Sequence, residues 1–269
     1  MHLDSVFTRW CTTEMPGRRP WKRSVLKWCS AISWRSTLFA RQWKAPTPPI
    51  SSVTPGLIHA TVNFAQAAKE AGVSTVINLS QRSANRFSTS NSCRDGFIAE
   101  QVSGLSVIHL RPTYFLEWLL YPWQLPYLRQ GILRMPVGKG RHSPIAADDQ
   151  GRVIAALLKS PEAHLGKTIP ISGPVEMDHE QMAAELTEAL GRKIIFQDLP
   201  IDDYCRSLEA MGVPPYVVQH LGGAMNGYQH GHMSGADNYV EKLTGRRSMT
   251  VGEFARAHAD ELNAKPDTH

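Results

Sequence analysis

At 269 residues with 42% apolar content, the chain is long enough to bury a substantial core as one large domain or as a domain with an added lobe. No apolar run approaches the length of a bilayer span, and the four cysteines (Cys11, Cys29, Cys93, Cys205) show no paired spacing, so a membrane protein, a disulfide scaffold and a Cys-based zinc module are all disfavoured and a cytoplasmic location is expected. The formal charge of +5 is unevenly spread: the first 50 residues carry nine Lys/Arg against Asp4 and Glu14, and the rest carries 20 basic against 22 acidic residues.

Five of the seven tryptophans (Trp10, Trp21, Trp28, Trp34, Trp43) also fall in that first segment. A basic tail for nucleic acid or membrane would be poor in such bulky apolar residues, and neither partner is expected. The segment is Arg-rich and acid-poor like a transit peptide but lacks the amphipathic pattern of one. A coding-frame slip accounts for it better. Trp has one codon, TGG, so the frame that joins the third base of a codon to the next two hides a Glu at Trp21-Lys22, a Val at Trp28-Cys29 and a Glu at Trp43-Lys44. Codons allowed around these letters spell a buried strand running into Gly-Asp-Leu. Residues 1–52 are therefore expected to be an aberrant or disordered segment without stable packing.

Pro46-Thr47-Pro48-Pro49 marks the junction. Leu57, Thr61, Phe64, Ala65 and Ala68 recur at helical spacing up to Gly72, and Val73 to Leu79 reads as a short buried strand. A polar loop from Ser80 to Cys93 leads into a helical run, Arg94 to Val102, and then a second strand, Leu105 to Arg111, stopped by Pro112. Two buried strands separated by a helix predict a parallel sheet with crossovers on its faces, whose ligand site lies beyond the carboxyl ends of the strands. Those ends are Asn78 to Gln81 and Pro112 to Phe115.

An aromatic stretch from Tyr114 to Gln130 precedes an extended piece, Ile132 to Val137. Asp149 to Leu158 reads as a helix and Thr168 to Ser172 as a strand. Asp178 and Gln181 form a capping box for a helix through Leu190, with Gly191 at its far end, and Ile194 to Phe196 is a further strand. The last third reads as helices over Asp202–Met211, Pro215–Met225, Asp237–Leu243 and Thr250–Leu262. The division expected is an aberrant segment over 1–52, a partial parallel-sheet domain over 53–172 and a smaller unit over 173–269.

The run V-T-P-G-L-I-H-A-T-V-N-F-A-Q-A-A-K-E-A-G-V from Val53, the strand ends I-N-L-S-Q and H-L-R-P-T-Y-F, the segment A-A-D-D-Q-G-R-V-I-A-A-L-L from Ala146 and L-T-G-R-R-S-M-T-V-G-E-F from Leu243 together resemble the NmrA-like branch of the atypical short-chain dehydrogenase/reductase superfamily. The likeness covers about four fifths of the chain. It implies an α/β fold, a Rossmann-like parallel sheet with helices on both faces and a small, mainly helical carboxyl lobe, the sheet here lacking its first strands. It also implies NADP or NAD as cofactor and, in intact relatives, reduction of quinones or similar small acceptors; the alternative is a non-catalytic dinucleotide sensor or partner-binding regulator. By resemblance, Asn78, Ser80, Gln81, Pro112, Thr113 and Tyr114 flank the nicotinamide, and Phe115 and Trp118 offer an apolar wall to a flat substrate. A strand stop and core packing account equally well for Pro112 and Phe115.

The chain departs from that pattern in two ways. No Gly-rich turn follows a first strand to cradle a pyrophosphate; the sole glycine before Gly56 is Gly17. No Tyr is followed by Lys four residues on, the pair that supplies a proton in ordinary members of the superfamily, although hydride transfer to a quinone rests chiefly on ring placement. Arg94-Asp95-Gly96 stands where relatives carry a bulkier pair. His230-Gly231-His232, with His220 as a third nitrogen ligand, lacks well-placed acidic or Cys companions for a metal, and the His230-Gly231-His232 stretch reads as a solvent loop. Asp148-Asp149 at a helix start reads as capping, and Ser143 has no hydrolase context.

Overall fold

The computed structural model describes residues 50–52 (backbone only), 66–73, 75–91, 93 and 105–264. The reading of residues 1–49, the helical run Arg94 to Val102 and the Arg94-Asp95-Gly96 position lie outside the described residues. Ile50–Ser52 form a strand, three residues ahead of the boundary read from composition.

Four strands, β1 (Ile50–Ser52), β2 (Thr75–Leu79), β3 (Ser106–Pro112) and β5 (Thr168–Ile171), pair side by side in that order, all parallel. Parallel sheets of this kind are covered on both faces, which is why β2 is buried at nearly every position and β3 buries Val107 on one face and Ile108 and Leu110 on the other. Ile77, Ile108, Leu110, Ile169 and Ile171 pack on one face against Val153 and Leu157 of helix α2 (Ala147–Lys159) and Val240 of α6 (Tyr239–Thr244). Each such side chain, once buried, contributes about 2 kcal/mol. Val76 and Val107 face the other way, onto Ala68 of the helical run 66–70. That run ends as its sequence predicts, with Gly72 at a φ of 70°.

The second layer of packing is the carboxyl lobe. A small parallel pair, β4 (Ile132–Arg134) with β6 (Ile195–Gln197), is surrounded by α1 (Leu125–Arg129), α3 (His179–Leu190), α4 (Ile201–Ala210), α5 (Pro215–Gln229), α7 (Val251–Ala257) and α8 (Ala259–Asn263). The aromatic stretch after β3 belongs to this lobe's core: Leu116–Leu120 is a 3-10 helix and α1 follows it, neither visible in a sequence crowded with Trp and Tyr. Both capping boxes form, Asp178 with Gln181 and Thr250 with Glu253, and Gly191 and Gly245 close their helices in the left-handed conformation. The last helix differs from expectation. His258, at φ −114° and ψ 22°, leaves the helical path with its ring 4.4 Å from that of Phe254, and the chain restarts as α8.

Asp149 is more than a cap. It is buried, ion-paired with Arg152, and its Oδ2 accepts from the Met249 backbone N–H at 2.7 Å. Arg152 in turn donates to Thr244 Oγ1 and to the carbonyls of Arg246 and Arg247, so one carboxylate fastens the sheet-covering helix to the segment before α7. Asp149→Ala takes the ion-pair partner from Arg152 and the acceptor from the Met249 N–H together. It is expected to cost about 3 kcal/mol, read as a lower urea midpoint; an unchanged midpoint would show the tie to be ornamental.

Candidate functional site at the strand ends

Parallel pairing sets the geometry. Asn78 stands opposite His109 and Leu79 opposite Leu110, so the residues that follow, Ser80-Gln81 and Pro112-Thr113, emerge side by side at the carboxyl edge of the sheet. Cross-links fix them there. Ser80 N donates to Leu110 O at 2.8 Å, Arg82 N to Pro112 O at 3.0 Å and Thr113 N to Ile171 O at 3.3 Å. Pro112 thus ends β3 as an acceptor, and Thr113 turns its hydroxyl onto the Ser143 carbonyl.

The lobe closes over this edge. Gln81 faces His220 of α5 at 3.2 Å between Nε2 atoms, and the Cys93 thiol donates to Gln81 Oε1 at 3.2 Å. An amide nitrogen only donates, so His220 Nε2 is the acceptor; its Nδ1 then carries the hydrogen and donates to Ser90 Oγ, 2.8 Å away. Burial holds the imidazole at a pKa of about 4, which keeps that neutral tautomer. Around this centre the loop residues Thr89 to Asn91 lie against α5. Thr89 Oγ1 donates to Gly223 O at 2.9 Å, and Gln219 pairs with the backbone of Thr89 and Asn91. A Cβ on Gly223 would come within 2.5 Å of Ser90 N, so only glycine permits the approach.

A second strap crosses the same edge. Gly235, at φ 96°, accepts at its carbonyl from Arg82 (3.0 Å) and Ser143 Oγ (3.1 Å), while its N–H donates to Glu176 Oε1 at 2.5 Å. Two residues on, Asp237 N donates to Ser172 Oγ at 2.9 Å, beyond the end of β5. His230 and His232 are exposed, as read from sequence, and His230 Nδ1 bonds Asn226 O. The strap begins only after them.

The structure thus brings Ser80, Gln81, Pro112 and Thr113 together at one edge. Asn78 lies one step inside β2, its amide 3.4 Å from His109 on the face shared with Val76 and Val107. Tyr114 turns into the lobe core and is closed from solvent. Phe115 and Trp118 meet edge to face at 6.3 Å, both half-buried, Phe115 packing on the sheet-side cluster and Trp118 on the lobe core. Glu176, Ser90, Cys93 and Gly235 were not singled out from sequence. They come from separate segments and carry no local motif, and only the left-handed glycine had a signal of its own type.

The described chain is an α/β protein with a Rossmann-like parallel sheet and a lobe folded over its carboxyl edge. No family model matches the chain. It is 30% identical over 164 residues to the NAD(P)H azoreductase of Xenophilus azovorans, an alignment covering 61% of this chain but 57% of that enzyme, so the chain spans a little over half its length. It is 26% identical over 244 residues to a festuclavine dehydrogenase of Aspergillus fumigatus, covering 88% of this chain and 83% of the relative. Among solved structures, an NADPH-dependent quinone oxidoreductase of Escherichia coli complexed with NADPH superposes with a TM-score of 0.72 at 22% identity, covering 83% of this chain and 80% of that one. NmrA, a negative transcriptional regulator in complex with NAD, superposes with a TM-score of 0.67 at 15% identity, covering 82% and 76%. The structural likenesses fix the fold. The curated relatives are named as NAD(P)H-dependent or dehydrogenase enzymes, and NmrA is among the solved structures that share the fold. Among the described residues no helix is long and apolar enough to cross a membrane.

Proposed function

We propose that this chain is built as an NAD(P)H-dependent reductase of quinones or similar flat, small acceptors. One observation carries the reading: the lobe is tied over the carboxyl ends of β2, β3 and β5, the edge at which open α/β sheets bind their ligands. Ser80, Gln81 and Thr113 would flank the nicotinamide, with Pro112 setting the end of the strand beneath it. The edge suits a carboxamide. Gln81 uses one amide hydrogen on His220 and keeps a second, and the backbone at Thr113 is pinned on both sides. The dinucleotide supplies the hydride. The protein's own work is to orient a flat acceptor against the ring and to exclude water, for which Phe115 and Trp118 are the apolar candidates.

The same reading retains residues 1–52 as a frame-slipped segment that supplies no pyrophosphate cradle, so this chain is proposed to hold the nucleotide weakly. The test is spectrophotometric: oxidation of NADPH or NADH at high concentration with a simple benzoquinone as acceptor. Turnover that Gln81→Ala reduces at least tenfold supports the reading. Saturable nucleotide binding without oxidation would favour the sensor instead, and neither binding nor turnover at millimolar nucleotide would sink both.

A further inference from the structure

Behind Thr113, where β3 runs into the lobe, three side chains with hydrogen-bonding atoms are sealed from solvent. Tyr114, His142 and His179 each have no exposed surface. Their rings form one cluster, with centroids 4.8 Å apart for His142 and His179, 5.1 Å for Tyr114 and His142, and 5.8 Å for Tyr114 and His179. Trp118, Tyr228 and Phe196 wall it at 5.1, 5.0 and 5.3 Å from Tyr114, His142 and His179 respectively. The Tyr114 hydroxyl and all four imidazole nitrogens lack a hydrogen-bond partner among the described residues. Leaving five such atoms dry would cost on the order of a whole domain's net stability.

We infer that Tyr114, His142 and His179 enclose an internal site for water, shared between the end of β3 and the lobe. The atoms themselves select the ligand. Each neutral imidazole offers one N–H and one lone pair, and the phenol offers both from one oxygen, so the lining mixes donors and acceptors. Water, which makes about three bonds when buried, matches a mixed lining. A cation would require lone pairs on all sides and an anionic neighbour. The carboxylate next to His179 in the chain, Asp178, is instead occupied as the cap of α3, accepting from Gln181 N at 2.8 Å with Arg141 3.4 Å away. An anion would require donors alone. A direct bond between the two imidazoles would satisfy only two of the five atoms. This inference does not depend on the reductase reading.

The experiment uses the full chain with its histidines labelled with nitrogen-15, at pH 7.5. The result expected is two neutral imidazoles whose N–H protons show cross-relaxation to a water held longer than nanoseconds. Oxygen-17 relaxation dispersion should then lose at least one long-lived water in Tyr114→Phe or His179→Phe. A nitrogen-to-nitrogen coupling between the imidazoles without a water cross-peak would overturn the inference, as would a stoichiometric metal whose removal by chelator shifts the histidine resonances. Should the variants fail to fold, the cross-relaxation measurement on the native chain decides alone.

Discussion

Taking the protein from pH 7.5 to pH 5 is expected to remove about 4 kcal/mol of its stability or more, a large part of what a domain of this kind possesses. Three buried histidines are responsible. Burial holds His142 well below the ordinary histidine value, with His179 as a second, smaller cause; it holds His179 at about 3 and His220 at about 4. In the unfolded chain all three return to about 6.5. A base whose folded pKa is depressed binds more protons when unfolded, so its stabilising contribution is complete above pH 6.5 and is lost as pH falls below it. At pH 5 His179 and His220 each forfeit about 2 kcal/mol, and His142 adds to the loss in the same direction. Glu117 acts in the opposite sense, because burial raises its carboxyl and stability returns as it takes up a proton, but it is one group against three. Urea midpoints measured at half-unit pH intervals should fall steeply from pH 6.5 downward, and the double variant His142→Phe/His179→Phe should flatten the curve. A midpoint independent of pH between 7 and 5 would contradict the burial of these rings.

The second large effect concerns the nucleotide. Among the described residues β1 pairs on one side only, with β2, and in a Rossmann arrangement the outer side of such a strand is where the first βα unit brings its Gly-rich turn. Returning the codons before Val53 to the hidden frame, and supplying a Gly-rich strand, turn and helix ahead of them, is expected to tighten NADPH or NADH binding about a thousandfold. Two or three charge-assisted bonds to a pyrophosphate sum to about 4 kcal/mol, which is a factor of that size. Calorimetric titration of the chain as it stands against the restored form measures it, and Gln81→Ala in the restored form should weaken binding again. Equal affinity in the two forms would show the reading of residues 1–52 to be wrong.

The main elements were legible because their signals are local. β2 and β3 announce themselves as short, doubly buried apolar runs, α3 by its capping box and terminal glycine, and α2 by Val153 and Leu157 one turn apart. Where local signals overlap, legibility failed. The 3-10 helix at Leu116–Leu120 and α1 were hidden in a stretch whose aromatics fit any period, and the break at His258 carries no Gly or Pro to mark it.

The strand-end residues divide the same way. Ser80, Gln81, Pro112 and Thr113 are found from sequence because a parallel sheet presents its carboxyl ends together, so predicting the strands predicts the edge. What covers that edge is a matter of long-range contact. Gln81 meets His220 across 139 residues, Arg82 meets Gly235 across 153, and Ser143 meets Gly235 across 92. Tyr114 follows Thr113 directly, yet its side chain turns into the lobe to meet His142 and His179, each drawn from another segment. The sequence by itself determined the sheet and its carboxyl edge; the tertiary structure decided which side chains close over the edge and which are sealed behind it. Strand and cap signals are carried by residues within one turn or one pleat of each other, whereas a hydrogen bond between distant segments has no sequence period at all.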